Sequence, residues 1–242
     1  MAGHSKWANI KHRKASADAK KSKITTKIVR EITVATKLGG SDIESNPRLR
    51  LAIDKAKENN IAKDNIERAV KKGSGKNSDS NYIELRFEGY ALAGVAVVVD
   101  CLTDNNVRTI ADVKSVFNKY NANIGTSGCV AFQFKQIGIV ICSNVNNIDE
   151  FFSFAIEAGA VDINVQDEEG VIEVVTDFTD FQQVKDALVA GGYNIEFSNI
   201  TMQSSNHIEL DAEQQQKLQK FIDALEDLDD VQNVYDNSAL LP

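Results

Sequence analysis

The hydrophobic period of the chain changes at one place. Before the stretch Gly73-Ser74-Gly75-Lys76-Asn77-Ser78-Asp79-Ser80 the apolar residues recur at helical spacing, and after it they alternate. A pattern with the period of a helix cannot bury itself as a strand, nor the reverse, so the two sides must fold by different rules. The stretch itself has the composition of a linker.

On the upstream side, Ile24, Ile28, Ile32, Ala35 and Leu38 mark one face of a helix that Gly39-Gly40 closes. Asn46-Pro47 opens a second, since Asn suits an N-cap and Pro the first helical position. Leu49, Ile53 and Ala56 form its apolar stripe. After a turn at Asn59-Asn60, Ile66, Ala69 and Val70 face inward on a third helix that ends at Gly73. Three helices of this length can share one small core.

Downstream, Ile83, Leu85 and Phe87 alternate with Glu84, Arg86 and Glu88, as in a strand with one wet face. Residues 94–101 and 129–135 read as strands around a helix at 107–120. From Gly138 to Phe197 the order is strand, helix, strand, strand, helix, strand: the helices carry Phe151, Phe152, Ala155 and Ile156, then Phe181, Val184 and Leu188. That order is the ferredoxin-like βαββαβ unit. The tail supplies a strand near 200–203, a helix with Leu218, Phe221, Ile222 and Leu225, and a strand near 231–235. Joined to the segment before Gly138, it completes a second such unit, with 82–88 as an extra edge strand. The expected fold class is therefore α+β, an N-terminal three-helix bundle plus two ferredoxin-like α/β domains, the third inserted in the second. The expected domains are 1–76, 77–136 plus 199–242, and 137–198.

Charge divides at the same linker. Residues 1–76 hold 19 Lys/Arg and 8 Asp/Glu, a net +11, whereas 77–242 hold 8 and 27, a net −19. Segregation of this size costs self-repulsion unless a polyanion sits opposite, and nucleic acid, DNA or RNA, is the expected partner. The candidate contacts are Lys6, Lys11, Arg13, Lys14, Lys20, Lys21, Lys23, Lys27 and Arg30, extended by Arg48, Arg50, Lys55 and Lys57 on the second helix. Lys and Arg supply sequence-independent phosphate contacts. His12 and Trp7 are interleaved with them; Trp7 either offers a stacking face to a base or plugs the bundle.

The polar stretch Thr103-Asp104-Asn105, with Arg108 following, lies between a strand and a helix. Thr103 or Asp104 as the helix N-cap is one reading; a small-ligand or partner site with Arg108 as anion contact is the other. The run Glu226-Asp227-Leu228-Asp229-Asp230 lacks the alternating oxygen ligands of a calcium loop and reads as a solvated helix end. His4, His12 and His207 have no companion at ligand spacing, so no metal is expected. No phosphate loop, nucleophile elbow or His–carboxylate pair is recognisable, so neither an enzyme nor a cofactor is expected. Cys101, Cys129 and Cys142 sit in apolar strand-like runs, as buried thiols of a reducing compartment do. No apolar run is long enough to span a bilayer or to serve as a secretory signal, which points to the cytoplasm and away from a membrane.

The opening MAGHSKWANIKHRK, then Lys23-Ile24 and Thr26-Lys27-Ile28, Asn46-Pro47-Arg48-Leu49-Arg50, Asp64-Asn65-Ile66-Glu67-Arg68-Ala69 and Leu102-Thr103-Asp104-Asn105 resemble the YebC/PmpR family over essentially the whole chain. The chain departs from that family's pattern at Thr25, Ile43 and Ala62, where an aromatic and two prolines are expected, and in the glycine-poor segment from Gly89 to Gly94. The resemblance implies a cytoplasmic protein with a helical domain and two α/β domains that acts as a DNA-binding transcriptional regulator. Its alternative implication is a translation factor that binds RNA at the ribosome and relieves stalls on proline-rich sequences. It places the nucleic-acid role on the basic positions of the opening and of Asn46 to Arg50.

Overall fold

A computed structural model describes residues 21–75, 82–166 and 170–240. Three helices come first, α1 (Lys21–Gly39), α2 (Pro47–Glu58) and α3 (Lys63–Ser74). Asn46 caps α2 as expected: its Oδ1 accepts from the Leu49 N–H at 3.0 Å, while its Nδ2 donates to the Ala35 and Gly40 carbonyls. One side chain thus starts a helix and finishes the one before it. Ile32, Ala35, Leu49, Ala52, Ile53, Ala56 and Ala69 form the shared core. Leu38, expected to face inward, is 68% exposed. Gly73 does not end α3; it is buried within it, where α3 crosses α1 so closely that a Cβ would strike the Thr33 carbonyl.

The first sheet contains β1 (Ile83–Tyr90), β2 (Ala96–Thr103), β3 (Asn123–Ile124) and β9 (Val231–Asp236), in the antiparallel order β3-β1-β2-β9. Helices α4 (Asn106–Lys119) and α7 (Ala212–Glu226) cover it, and Phe117 meets Phe221 edge to face at 5.1 Å in the core between them. The second sheet contains β4 (Phe134–Ser143), β5 (Asp162–Gln166), β6 (Val171–Asp177) and β7 (Asn194–Ser204) in the order β5-β6-β4-β7. With α5 (Ile148–Ala158) and α6 (Phe181–Ala190) packed on one face, this is the ferredoxin-like arrangement. A short parallel ladder of β8 (Ile208–Leu210) and β10 (Ser238–Leu240) completes the strands.

Several element boundaries differ from expectation. The strand at 82–88 is not an edge strand, because β3 pairs outside it. The strands expected at 129–135 and 138–142 are one strand beginning at Phe134, and those near 193–197 and 200–203 are likewise the single strand β7. These two long strands pair from Phe134 with Ser204 to Ser143 with Asn194, with one shift of register between Ile141 and Cys142. Residues 129–133 cannot join it, since the buried Glu88 carboxylate takes the N–H groups of Gly128, Val130 and Ala131 at 2.7–2.9 Å and bends the chain into a short 3-10 turn. Ile156, expected on the apolar face of its helix, is 61% exposed.

Candidate nucleic-acid interface

Helix α1 lies with one edge along the C-terminal end of α7, where unsatisfied carbonyls and the helix dipole attract cations. Lys23 Nζ donates to the Asp227 carbonyl at 2.9 Å and Lys27 Nζ to the Glu226 carbonyl at 2.6 Å. Arg30 Nη1 reaches the carbonyls of Leu102 and Asp229 and the Asp230 carboxylate. Burial pushes the Lys27 amine below its ordinary pKa despite the nearby carboxylates of Glu226, Asp229 and Asp227.

Asp230 is the meeting point. Its side chain is 7% exposed and accepts from Arg30 on Oδ1, from Thr109 and Thr103 on Oδ2 at 2.7 and 3.1 Å, and from Arg108 on both oxygens. Burial alone would raise its pKa; the hydrogen bonds from Arg108, Thr109 and Thr103 overcome that and hold the carboxyl below its usual range. Arg108, also paired with Asp104 at 2.8 Å, is held more basic by the same two carboxylates, Asp230 first. The N-cap of α4 is neither Thr103 nor Asp104 but Asn105, whose Oδ1 accepts from the Arg108 N–H. Thr103, Asp104, Asn105 and Arg108 therefore cap a helix and build an internal cluster. Asp230, which local sequence placed on a solvated helix end, is its buried centre; only the density of hydrogen-bonding residues in 103–109 hinted at it.

The remaining expected contacts are engaged within the chain too. Arg48 grips Glu31 with Nε and Nη2 at 2.6 and 3.1 Å and Glu84 with Nη1 at 2.6 Å, which raises its pKa through the Glu31 hydrogen bond above all. Arg50 donates to the carbonyls of Ile43 and Glu44, and Lys57 pairs with Asp54. Burial lowers the pKa of Lys55 against the pull of Glu31 and Glu58. Lys21 opens α1. Lys6, Trp7, Lys11, His12, Arg13, Lys14 and Lys20 lie outside the described residues.

Different cations face outward. Arg68, Lys71 and Lys72 on α3 are exposed, and among the described residues none has a carboxylate partner. Between α3 and α1 runs a cleft of about 410 Å³ whose floor is Val29 and Ala69. Its walls are Thr25, Thr26 and Thr33 on one side, Asn65, Arg68 and Lys72 on the other, and Tyr82 at one end. Lys72 Nζ and the Arg30 guanidinium lie 5.9 and 5.3 Å from the Tyr82 ring centre.

Residues 5–76 match the family model for the TACO1/YebC protein N-terminal domain, and residues 82–238 match that for the TACO1/YebC second and third domain. The chain belongs to the TACO1/YebC family. Its relatives include proteins named "Probable transcriptional regulatory protein" from Chromobacterium violaceum, 52% identical over 240 residues covering 99% of each chain, and from Burkholderia thailandensis, 51% identical over 241 residues covering 100% and 99%. The crystal structure of a conserved hypothetical protein from Aquifex aeolicus, 41% identical, superposes with a TM-score of 0.85 over 98% of both chains. The family's α+β architecture is thus the one seen here. Among the described residues no group of three or more His, Cys, Asp or Glu could hold a metal, and no helix is long and apolar enough to cross a membrane.

Proposed function

We propose that the chain is a non-enzymatic regulatory protein that binds nucleic acid through its N-terminal helical domain, in the sense in which its relatives are named transcriptional regulators. The observation that carries this reading is the row Arg68, Lys71 and Lys72 on α3, exposed and without carboxylate partners among the described residues. Lys23, Lys27, Arg30, Arg48, Arg50 and Lys57 are engaged within the chain, so a row without carboxylate partners on the domain with a net charge of +11 is the surface that suits phosphates. The lysines and arginines of the first twenty residues belong to the same domain and add to its charge. In this scheme residues 1–76 make the contacts, while the α/β units at 77–136 plus 199–242 and at 137–198 set their geometry. Lys23, Lys27 and Arg30 serve the domain junction.

Measuring duplex DNA affinity against salt tests the reading. With about six to ten phosphates contacted, affinity falls by roughly 10³ to 10⁵ between 50 and 200 mM salt. Replacing Arg68, Lys71 and Lys72 by Gln weakens binding and flattens that slope. A salt slope near zero in the wild-type protein removes the electrostatic mechanism.

A further inference from the structure

We infer that the cleft between α1 and α3 is a binding site for one unpaired nucleotide of a single-stranded nucleic acid. The inference deepens the nucleic-acid reading above and rests on it. Three observations carry it.

The cleft has the volume of a small-molecule site, about 410 Å³. A double helix is far too wide to enter a cleft of this volume, which is of the order that one small ligand takes.

Its two walls are chemically unlike. On the α3 side, Arg68 Nε is held by the Asp64 carbonyl at 3.1 Å and one Nη by Asn65 Oδ1 at 2.6 Å, which fixes the guanidinium in place and turns Asn65 into a donor through Nδ2. Lys72 stands one turn further on. Together they present fixed positive charge and N–H donors, the chemistry that a phosphodiester requires. On the α1 side, Thr26 and Thr33 spend their hydroxyl protons on the carbonyls of Ser22 and Val29. Their oxygens are left as acceptors, suited to the N–H groups of a base or the hydroxyl of a sugar.

The third observation is the ring at the end. Tyr82 is fixed beside the cleft by Arg30, itself anchored on Asp230, and Lys72 Nζ lies over the ring. A phosphate that draws Lys72 Nζ off the ring therefore uncovers an aromatic surface for its own sugar and base, while Arg30 keeps the ring in place. Stacking of this kind is how proteins hold unpaired bases without reading their sequence.

The test measures two ligands side by side, a labelled oligothymidylate of roughly eight nucleotides, within the site sizes of single-strand binders, and a blunt DNA duplex. Tyr82→Ala is expected to weaken oligonucleotide binding by roughly fivefold or more while leaving duplex binding unchanged, and Tyr82→Phe is expected to retain both. Thr26→Trp, at an exposed residue, fills the cleft mouth without touching the core and is expected to block the oligonucleotide alone. If Tyr82→Ala and Thr26→Trp leave oligonucleotide binding intact, or weaken both ligands equally, the cleft is not a nucleotide site, although surface binding of duplex stands. If the wild-type protein binds neither ligand at low salt, the nucleic-acid reading falls and this inference with it.

Discussion

Arg30 and Asp230 stand 200 residues apart in the chain and 2.9 Å apart in space, and their ion pair joins the helical domain to the turn that leads into β9 of the first sheet. Both side chains are nearly buried, 13% and 7% exposed. Each is also tied elsewhere, Arg30 to two carbonyls and Asp230 to two threonines and Arg108. The arrangement spends cations that the sequence offers to phosphates on holding two domains together.

Removing one partner leaves the others buried and unpaired, which costs far more than the pair's net worth. Asp230→Ala is expected to destabilise the fold by about 3 kcal/mol, because it takes the carboxylate from the nearly buried Arg30 and leaves Arg108 with Asp104 alone and the Thr103 and Thr109 hydroxyls with the Asn105 carbonyl alone. Arg30→Ala is expected to cost less than Asp230→Ala, since Arg108, Thr103 and Thr109 still satisfy the carboxylate. Urea unfolding of the two variants checks the order; equal losses would mean that Arg108 contributes nothing to Asp230.

The same carboxylate sets the acid limit, together with Glu88. In Glu88, too, burial raises the pKa, and the N–H groups of Gly128, Val130 and Ala131 more than compensate, so its value also lies below the ordinary one. A carboxyl whose folded pKa is depressed binds fewer protons than its unfolded counterpart, so stability rises with pH across the interval between them. Its contribution is complete above the unfolded values of 3.8 and 4.5 and is lost as pH falls through the shifted ones. Unfolding free energy is therefore expected to fall steeply below about pH 4. Asp230→Asn, already destabilised at neutral pH, is expected to lose less than the wild-type protein on acidification.

Glu88 makes a separate prediction about the turn at 128–131. Glutamine keeps the shape of the side chain but presents an N–H₂ to backbone N–H groups that now point at a carboxylate. Hydrogen bonds to a charged group are worth about 1.5–3 kcal/mol, and Glu88→Gln is expected to cost that order. Amide hydrogen exchange locates the effect: Gly128, Val130 and Ala131 are expected to lose protection first. Uniform loss across the first sheet would assign Glu88 a global role instead.

The helical domain was legible from its sequence because its signals are local. Asn46-Pro47 caps a helix whatever surrounds it, and the apolar stripe through Ile32 and Ala35 needs only one face to hide. Strand positions 129–133 were misread because their apolar alternation suits a ladder, and only a carboxylate some forty residues upstream withdraws their donors. Asp230 was hidden for the same reason: an acidic run looks solvated until Thr103, Thr109 and Arg108 converge on it from more than a hundred residues away. For the candidate interface, charge separation along the chain was legible. Which cations remain outward was not, because each is decided by the carboxylate or carbonyl that folding brings near, as Glu84 is brought to Arg48.

Gly73 offers the sharpest test of how α1 and α3 meet. In an isolated helix, alanine in place of glycine stabilises by about 1 kcal/mol. Here the added Cβ would strike the Thr33 carbonyl and stand 2.7 Å from Thr36 Cβ, so the two helices must separate. Overpacking of this kind costs about 1–3 kcal/mol, and the net sign for Gly73→Ala is expected to be loss, visible as a lower midpoint of thermal unfolding. Trimming the neighbour in Gly73→Ala/Thr36→Ala is expected to restore only part of it, because the first obstacle is main chain and cannot be shortened. Full recovery in the double variant would place the close contact on the Thr36 side chain alone. Since Thr33 also lines the cleft, the separation that relieves the clash in Gly73→Ala is expected to widen the site and weaken oligonucleotide binding as well.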